Sequence, residues 1–90
     1  MIVEFTRNFD KGLTGLQADF QKKVRETIEI FLDCYLTRQF PKSLRAHKCG
    51  PFLSLSVTMK CRVFVLPILG GVRFVFVGNH KDADNYLGRN

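Results

Sequence analysis

The chain has 90 residues, 46% of them hydrophobic, and a formal net charge of +6 at pH 7. A chain of this length buries roughly 60–65% of the surface its unfolded form exposes, so one modest core and a single domain over residues 1–90 are expected, without a lid domain or a large cofactor cradle. The longest apolar run, Val63 to Leu69, contains Pro67 and falls far short of the ~20 residues of a membrane-spanning helix.

Met1 to Thr6 carries neither a basic leader nor a small-residue cleavage site, so the cytoplasm is the expected compartment. Ile2 to Phe5 suits a first strand. A short helical turn over Phe9 to Leu13, broken at Gly15, is predicted next. Leu16, Phe20, Val24, Ile28, Phe31, Leu32 and Tyr35 then recur at spacings of three and four, the stripe of an amphipathic helix. Thr14 and Gln17 fit a capping box at its start, and Pro41 forbids continuation, so the helix is expected to end near Leu36–Thr37. The two helices would form a hairpin.

Leu44 to His47 could supply a strand. From Leu53 to Leu66 the period changes to two, with Leu53, Leu55, Val57, Met59, Cys61, Val63 and Val65 alternating with more polar neighbours. The run is too long for one typical strand of about 5–6 residues, so a turn is expected near Thr58 to Lys60. Gly70-Gly71 then joins Cys61–Leu66 to Val72–Val77 as an antiparallel hairpin. The order predicts an α+β fold: an N-terminal strand, a helical hairpin, then a three- or four-stranded antiparallel sheet with helices on one face. Ser54, Ser56, Thr58, Lys60 and Arg62 share one side of the pleat, and that face is expected to be open, hydroxyl-rich and basic.

Charge is unevenly placed. Residues 1–33 nearly neutralise themselves, whereas residues 34–81 carry eight bases (Arg38, Lys42, Arg45, Lys48, Lys60, Arg62, Arg73 and Lys81) and no acid. A field of one sign attracts polyanions, and nucleic acid is the commonest such partner in cytoplasm. Ser/Thr and Lys/Arg side chains are the usual phosphate contacts, so Arg45, Lys48, Lys60, Arg73, Lys81, Ser54 and Ser56 are the expected nucleic-acid-binding residues, which the resemblance described below assigns to RNA. The two histidines, His47 and His80, lie in this basic block, where a neutral imidazole can act as a base. His80 has Asp82 and Asp84 nearby in what reads as a tail, a weak metal pattern; no metal and no small-molecule cofactor is expected. Cys34, Cys49 and Cys61 form an odd set without a C-x-x-C pair, which argues for reduced, structural thiols. No nucleophile motif or phosphate-binding glycine loop occurs.

The string Ser43-Leu44-Arg45-Ala46-His47-Lys48, followed by Phe52 to Val57 and Lys60 to Phe64, resembles the central part of the RelE/ParE toxin superfamily. The ending Val72-Arg73-Phe74-Val75-Phe76-Val77-Gly78-Asn79-His80 is similar to the last strand and Gly-x-His element of its histidine-bearing, YafQ- and HigB-like branch. This resemblance covers nearly the whole chain. It implies a RelE-like fold and a bacterial type II toxin that cleaves mRNA on the ribosome and is silenced by a cognate acidic antitoxin. His80, His47 and Arg62 match the family's catalytic positions. Ser54 and Ser56 stand where YafQ-like members carry acid and histidine, and Tyr86 falls two or three residues after the usual closing aromatic. A ParE-like protein that poisons gyrase without cutting anything, and an RNA-binding module without activity, are the alternatives.

Overall fold

In the computed structural model, which describes residues 1–88, the chain runs β1 (Ile2–Phe5), α1 (Arg7–Thr14), α2 (Ala18–Cys34), a 3-10 turn (Lys42–Leu44), β2 (His47–Cys49), β3 (Phe52–Thr58), β4 (Cys61–Ile68), β5 (Gly71–Gly78) and α3 (His80–Tyr86). Arg89 and Asn90, the end of the expected 1–90 domain, lie outside the described residues. Among the described residues no helix is long and apolar enough to cross a membrane.

Thr6 converts strand into helix. Its hydroxyl accepts from the Phe9 amide at 3.1 Å, capping α1, and donates to the Val75 carbonyl at 3.3 Å, tying that helix start to β5. The capping box expected at Thr14 does not form. The Thr14 hydroxyl turns back to the Lys11 carbonyl at 3.1 Å, and Gln17, the N-cap of α2, makes no side-chain cap. Ser and Thr hydroxyls near a helix end compete for whichever carbonyl or amide lies closest, and here α1's own last turn wins.

The fold is α+β as expected, with a sheet of five strands in the order β1-β5-β4-β3-β2. β2, β3, β4 and β5 pair antiparallel, whereas β1 lies parallel to β5, from Ile2 opposite Gly71 to Phe5 opposite Phe74. The four antiparallel strands are as expected, and the parallel β1, whose partner the sequence left open, makes the sheet mixed. The α1–α2 hairpin and strands β2 to β4 all lie between the two partners, ample chain for a parallel return, and nothing local in Ile2–Phe5 announces its partner. The strand expected at Leu44 begins instead at His47, because Arg45 adopts a left-handed conformation with φ 46° that breaks the extended run.

Both faces of the sheet are covered. On one, Leu55, Val63, Val65 and Phe74 pack against Val24, Ile28 and Phe31 of α2 and Phe9 of α1. On the other, Phe64, Val75, Phe76 and Ala83 form a second cluster with Phe52, Leu66 and Leu87. Tyr86 of α3 adds its ring to Phe52, Phe64 and Phe76, at centroid distances of 5.7, 6.1 and 5.2 Å. The face expected to be open and basic is therefore largely aromatic and roofed by α3. A register shift makes this possible: Phe64 pairs with Phe76 but Val65 pairs with Phe74, leaving Val75 as a bulge. Bulges re-aim side chains, and here Phe74 and Val77 join the first core while Val75 and Phe76 join the second.

α1 can approach β5 only at a glycine. A Cβ on Gly12 would sit 2.5 Å from the Val77 carbonyl oxygen, whereas a Cβ on Gly15 would meet only ordinary contacts from 3.5 Å. Overpacking of this kind costs about 1–3 kcal/mol, so Gly12→Ala should lower the thermal midpoint by roughly 5–15 °C in a domain of this size. Gly15→Ala should not. Equal midpoints for the two variants in a thermal scan by circular dichroism would show that α1 is not seated by this contact.

Candidate active site

Strand register and one helix start assemble a cleft at the end of the sheet where β5 leaves. His47 pairs with Ser54, Ser54 with Phe64, and Ser56 with Arg62. Directly opposed residues point to the same face, and alternate residues along a strand share it, so His47, Ser54 and Arg62 all project beneath α3. His80 completes the set as the first residue of α3, not as part of a loop; Asn79 caps that helix by accepting the Asp82 amide at 2.8 Å. The resulting cleft, about 210 Å³, is lined by His47, Cys49, Ser54, Arg62, His80 and Asp84, with Phe64, Ala83 and Leu87 as its apolar wall.

Arg62 is the hub. Its Nε donates to His80 Nδ1 at 3.2 Å and its Nη1 donates to Ser54 Oγ at 3.2 Å. The His80 Nε2 lies 2.8 Å from the Met59 carbonyl oxygen. These contacts assign the ring's tautomer: Nδ1 accepts, so it carries no proton, and Nε2 donates to the carbonyl. His80 thus latches the start of α3 to the β3–β4 turn. His47 is anchored differently. Its Nδ1 lies 2.9 Å from the Arg45 carbonyl oxygen, so Nδ1 is the donor, and among the described residues Nε2 has no hydrogen-bond partner.

Not every residue expected to bind RNA reaches this cleft. Ser54 is 1% exposed and serves as the acceptor that orients Arg62, so it is a support and not an open phosphate contact. The Ser56 hydroxyl donates to the Thr58 carbonyl at 3.0 Å within its own hairpin. Arg73 pairs with Glu4 at 2.7 Å across β1 and β5, near the start of β5 and away from His80. Lys48 alternates with His47 along the edge strand and so faces the opposite side, exposed. Arg45 borders a separate hollow with Arg38 and Lys42, Lys60 borders a groove beside α1, and Lys81 is exposed on the first turn of α3. Tyr86 belongs to the aromatic cluster.

Two cleft residues, Cys49 and Asp84, and the Met59 carbonyl that holds His80 were not among the expected site groups. Cys49 lies two residues beyond His47 on the same strand, and Asp84 lies one helical turn beyond His80, so both were readable once β2 and α3 were known. Among the described residues no three His, Cys, Asp or Glu side chains gather to hold a metal ion. All three cysteines are free, and burial pushes the Cys61 thiol up, away from the reactive thiolate form.

No family model and no curated protein matches the sequence. Solved structures do match the fold. A point mutant of YafQ from E. coli aligns with a TM-score of 0.77 at 12% identity, covering 91% of this chain and 96% of that one. The chain has the RelE/YafQ toxin fold. A chain of the RelB-RelE antitoxin-toxin complex from Methanococcus jannaschii gives 0.69 at 16% identity, covering 92% and 96%. A metal-bound toxin from Helicobacter pylori gives 0.63 at 16%, covering 91% and 97%. The resemblance seen in short strings of sequence therefore extends along nearly the whole backbone path. At such identities the likeness lies in element order and geometry, and the identity of the site rests on the cleft itself.

Proposed function

We propose that this protein is the toxin of a type II toxin–antitoxin pair and a metal-independent endoribonuclease that cleaves mRNA on the ribosome. The observation that carries this reading is a guanidinium fixed between an imidazole and a buried hydroxyl, Arg62 between His80 and Ser54, with a second imidazole, His47, lining the same cleft.

RNA brings its own nucleophile, the 2′-hydroxyl. The protein has to remove that proton, stabilise the crowded phosphorane and protonate the leaving 5′ oxygen. His47 suits the first task, since no described residue bonds its Nε2 and the Arg45 carbonyl fixes its ring. Arg62 suits the second. A phosphate entering the cleft draws the guanidinium toward itself, because a charge-assisted contact is stronger than one to a neutral imidazole. His80 Nδ1 is then released from Arg62 and can take up a proton, and the imidazolium gives that proton to the 5′ oxygen. The 2′ oxygen bonds to phosphorus as the bond to the 5′ oxygen breaks, leaving a 2′,3′-cyclic phosphate and a 5′-hydroxyl end. Single-stranded RNA, whose bases can be splayed, is the accessible form.

The partner in this reading is a cognate acidic antitoxin whose chain covers the basic half of the molecule. RelE and YafQ have both been solved in antitoxin–toxin complexes, and the acid-free block of residues 34–81 favours a complementary negative surface.

The test is a pH–rate profile on a defined RNA. His47→Ala should lose the acid limb of the profile and His80→Ala the alkaline limb, each with cleavage slowed about 100-fold or more. Unchanged limbs, or intact transcripts with altered plasmid supercoiling when the wild type is induced alone, would overturn the nuclease reading.

A further inference from the structure

Of the residues in the α2 stripe, Phe20 alone is left over. Leu16, Val24, Ile28 and Phe31 join the first core, whereas Phe20 belongs to neither core cluster and is half-buried. It lines a groove of about 480 Å³, more than twice the active cleft's 210 Å³. Leu16 and Val77 supply the rest of its apolar floor, Lys11 and Lys60 its cations, and Asp82 its one acid. Three further lining positions are glycines, Gly12, Gly15 and Gly78, which leave the walls bare of side chains. The Lys23 ammonium lies 5.6 Å from the Phe20 ring centroid.

The groove adjoins the active cleft through two shared elements. Lys60 follows Met59, whose carbonyl holds His80, and Asn79 and Asp82, both on the groove wall, flank His80 in the first turn of α3. A strand of RNA crossing the His80–Met59 latch from the cleft would enter this groove next. An aromatic face beside cationic side chains is how proteins hold single-stranded nucleic acid, the ring stacking a base and the cations tracking the backbone. The volume lies within the 300–1,000 Å³ usual for ligand sites.

We infer that this groove holds a nucleotide flanking the scissile phosphate, its base on Phe20 and its phosphates between Lys11 and Lys60. The position of the scissile phosphate rests on the nuclease reading; the groove's affinity for single strands does not.

The experiment uses a fluorescent 2′-O-methyl octanucleotide, which cannot be cleaved, titrated against the full chain at several salt concentrations. Lys11→Glu combined with Lys60→Glu should weaken binding at least tenfold and reduce the slope of log affinity against log salt by about 1.4, the value for two lost single-strand phosphate contacts. Phe20→Ala should weaken binding about 5- to 100-fold and Phe20→Tyr should bind as the wild type does, with a cooperative thermal transition retained in each. Unchanged affinity and salt slope in the double variant would overturn the inference, and if that variant also cut RNA normally the nuclease reading would stand alone. If the octanucleotide binds through Lys11, Lys60 and Phe20 while no transcript is cut, the groove stands as a single-strand site and the nuclease reading falls. A Glu-rich peptide that perturbs the Phe20 ring resonances, where the octanucleotide does not, would overturn the inference in favour of a protein partner.

Discussion

Replacing Arg62 with alanine should slow RNA cleavage by roughly 10²–10³-fold or more, the usual cost of removing a fixed donor from a site of developing negative charge, while the domain still unfolds cooperatively. The geometry separates the two effects. Arg62 is only half-buried, and its contacts run to the His80 ring and the Ser54 hydroxyl, not to either apolar cluster. Its loss strands the Ser54 hydroxyl, 1% exposed, and leaving a buried polar group without its partner costs about 1–3 kcal/mol. That penalty lowers the thermal midpoint without unfolding a domain of ordinary stability, about 5–15 kcal/mol. Arg62→Lys should restore the charge but little of the rate, since a single ammonium on a flexible stem cannot reproduce the planar fork that reaches Nδ1 and Oγ together. Ser54→Ala should fall between wild type and Arg62→Ala, because it frees the guanidinium without removing it. If Arg62→Ala lost its cooperative transition, or cut RNA at the wild-type rate, its place at the centre of the site would be untenable.

What the sequence conveyed of this site depended on period. Alternation from Leu53 to Leu66 placed Ser54 and Arg62 on one face correctly: pleating puts Ser54 with Ser56 on β3, and the pairing of Ser56 with Arg62 brings β4's residue to the same side. It could not say whether that face met water. The answer lay in residues 80–86, where His80-Lys81-Asp82-Ala83-Asp84-Asn85-Tyr86 offers only Ala83 and Tyr86 as apolar positions at helical spacing. A helix that short leaves little periodic signal, although Asn79 with an acid three residues on is an N-terminal signature. Once α3 is in place, Ser54 changes from an exposed hydroxyl to a buried one, and the Tyr86 ring, still exposed on its outer side, packs against Phe52, Phe64 and Phe76. The parallel partner of β1 was likewise out of reach, being a pairing across almost seventy residues with no turn to announce it. The same distance keeps Arg73 from the site, since Glu4 sits opposite it in that register.

Ile28→Asp should abolish folding, whereas Ile30→Asp, two residues along the same helix, should be nearly silent. Ile28 is 8% exposed and belongs to the core formed by α2 with Leu55, Val63 and Phe74; Ile30 is 41% exposed. Two positions on a helix differ by about 200° around its axis, so one points under the sheet and the other into water. The bland explanation of any loss on Ile28→Asp would be helix propensity, but both substitutions carry the same propensity change, less than about 1 kcal/mol. What differs is burial. A carboxylate enclosed by aliphatic side chains without a partner must either lose its hydration or keep its proton, and each route costs several kcal/mol, most of what a domain of this size possesses. The surface substitution should stay within about 0.5 kcal/mol. Chemical denaturation followed by far-ultraviolet circular dichroism decides the matter: an Ile28→Asp protein with a cooperative transition near that of Ile30→Asp would mean that α2 is not seated on the sheet by this stripe.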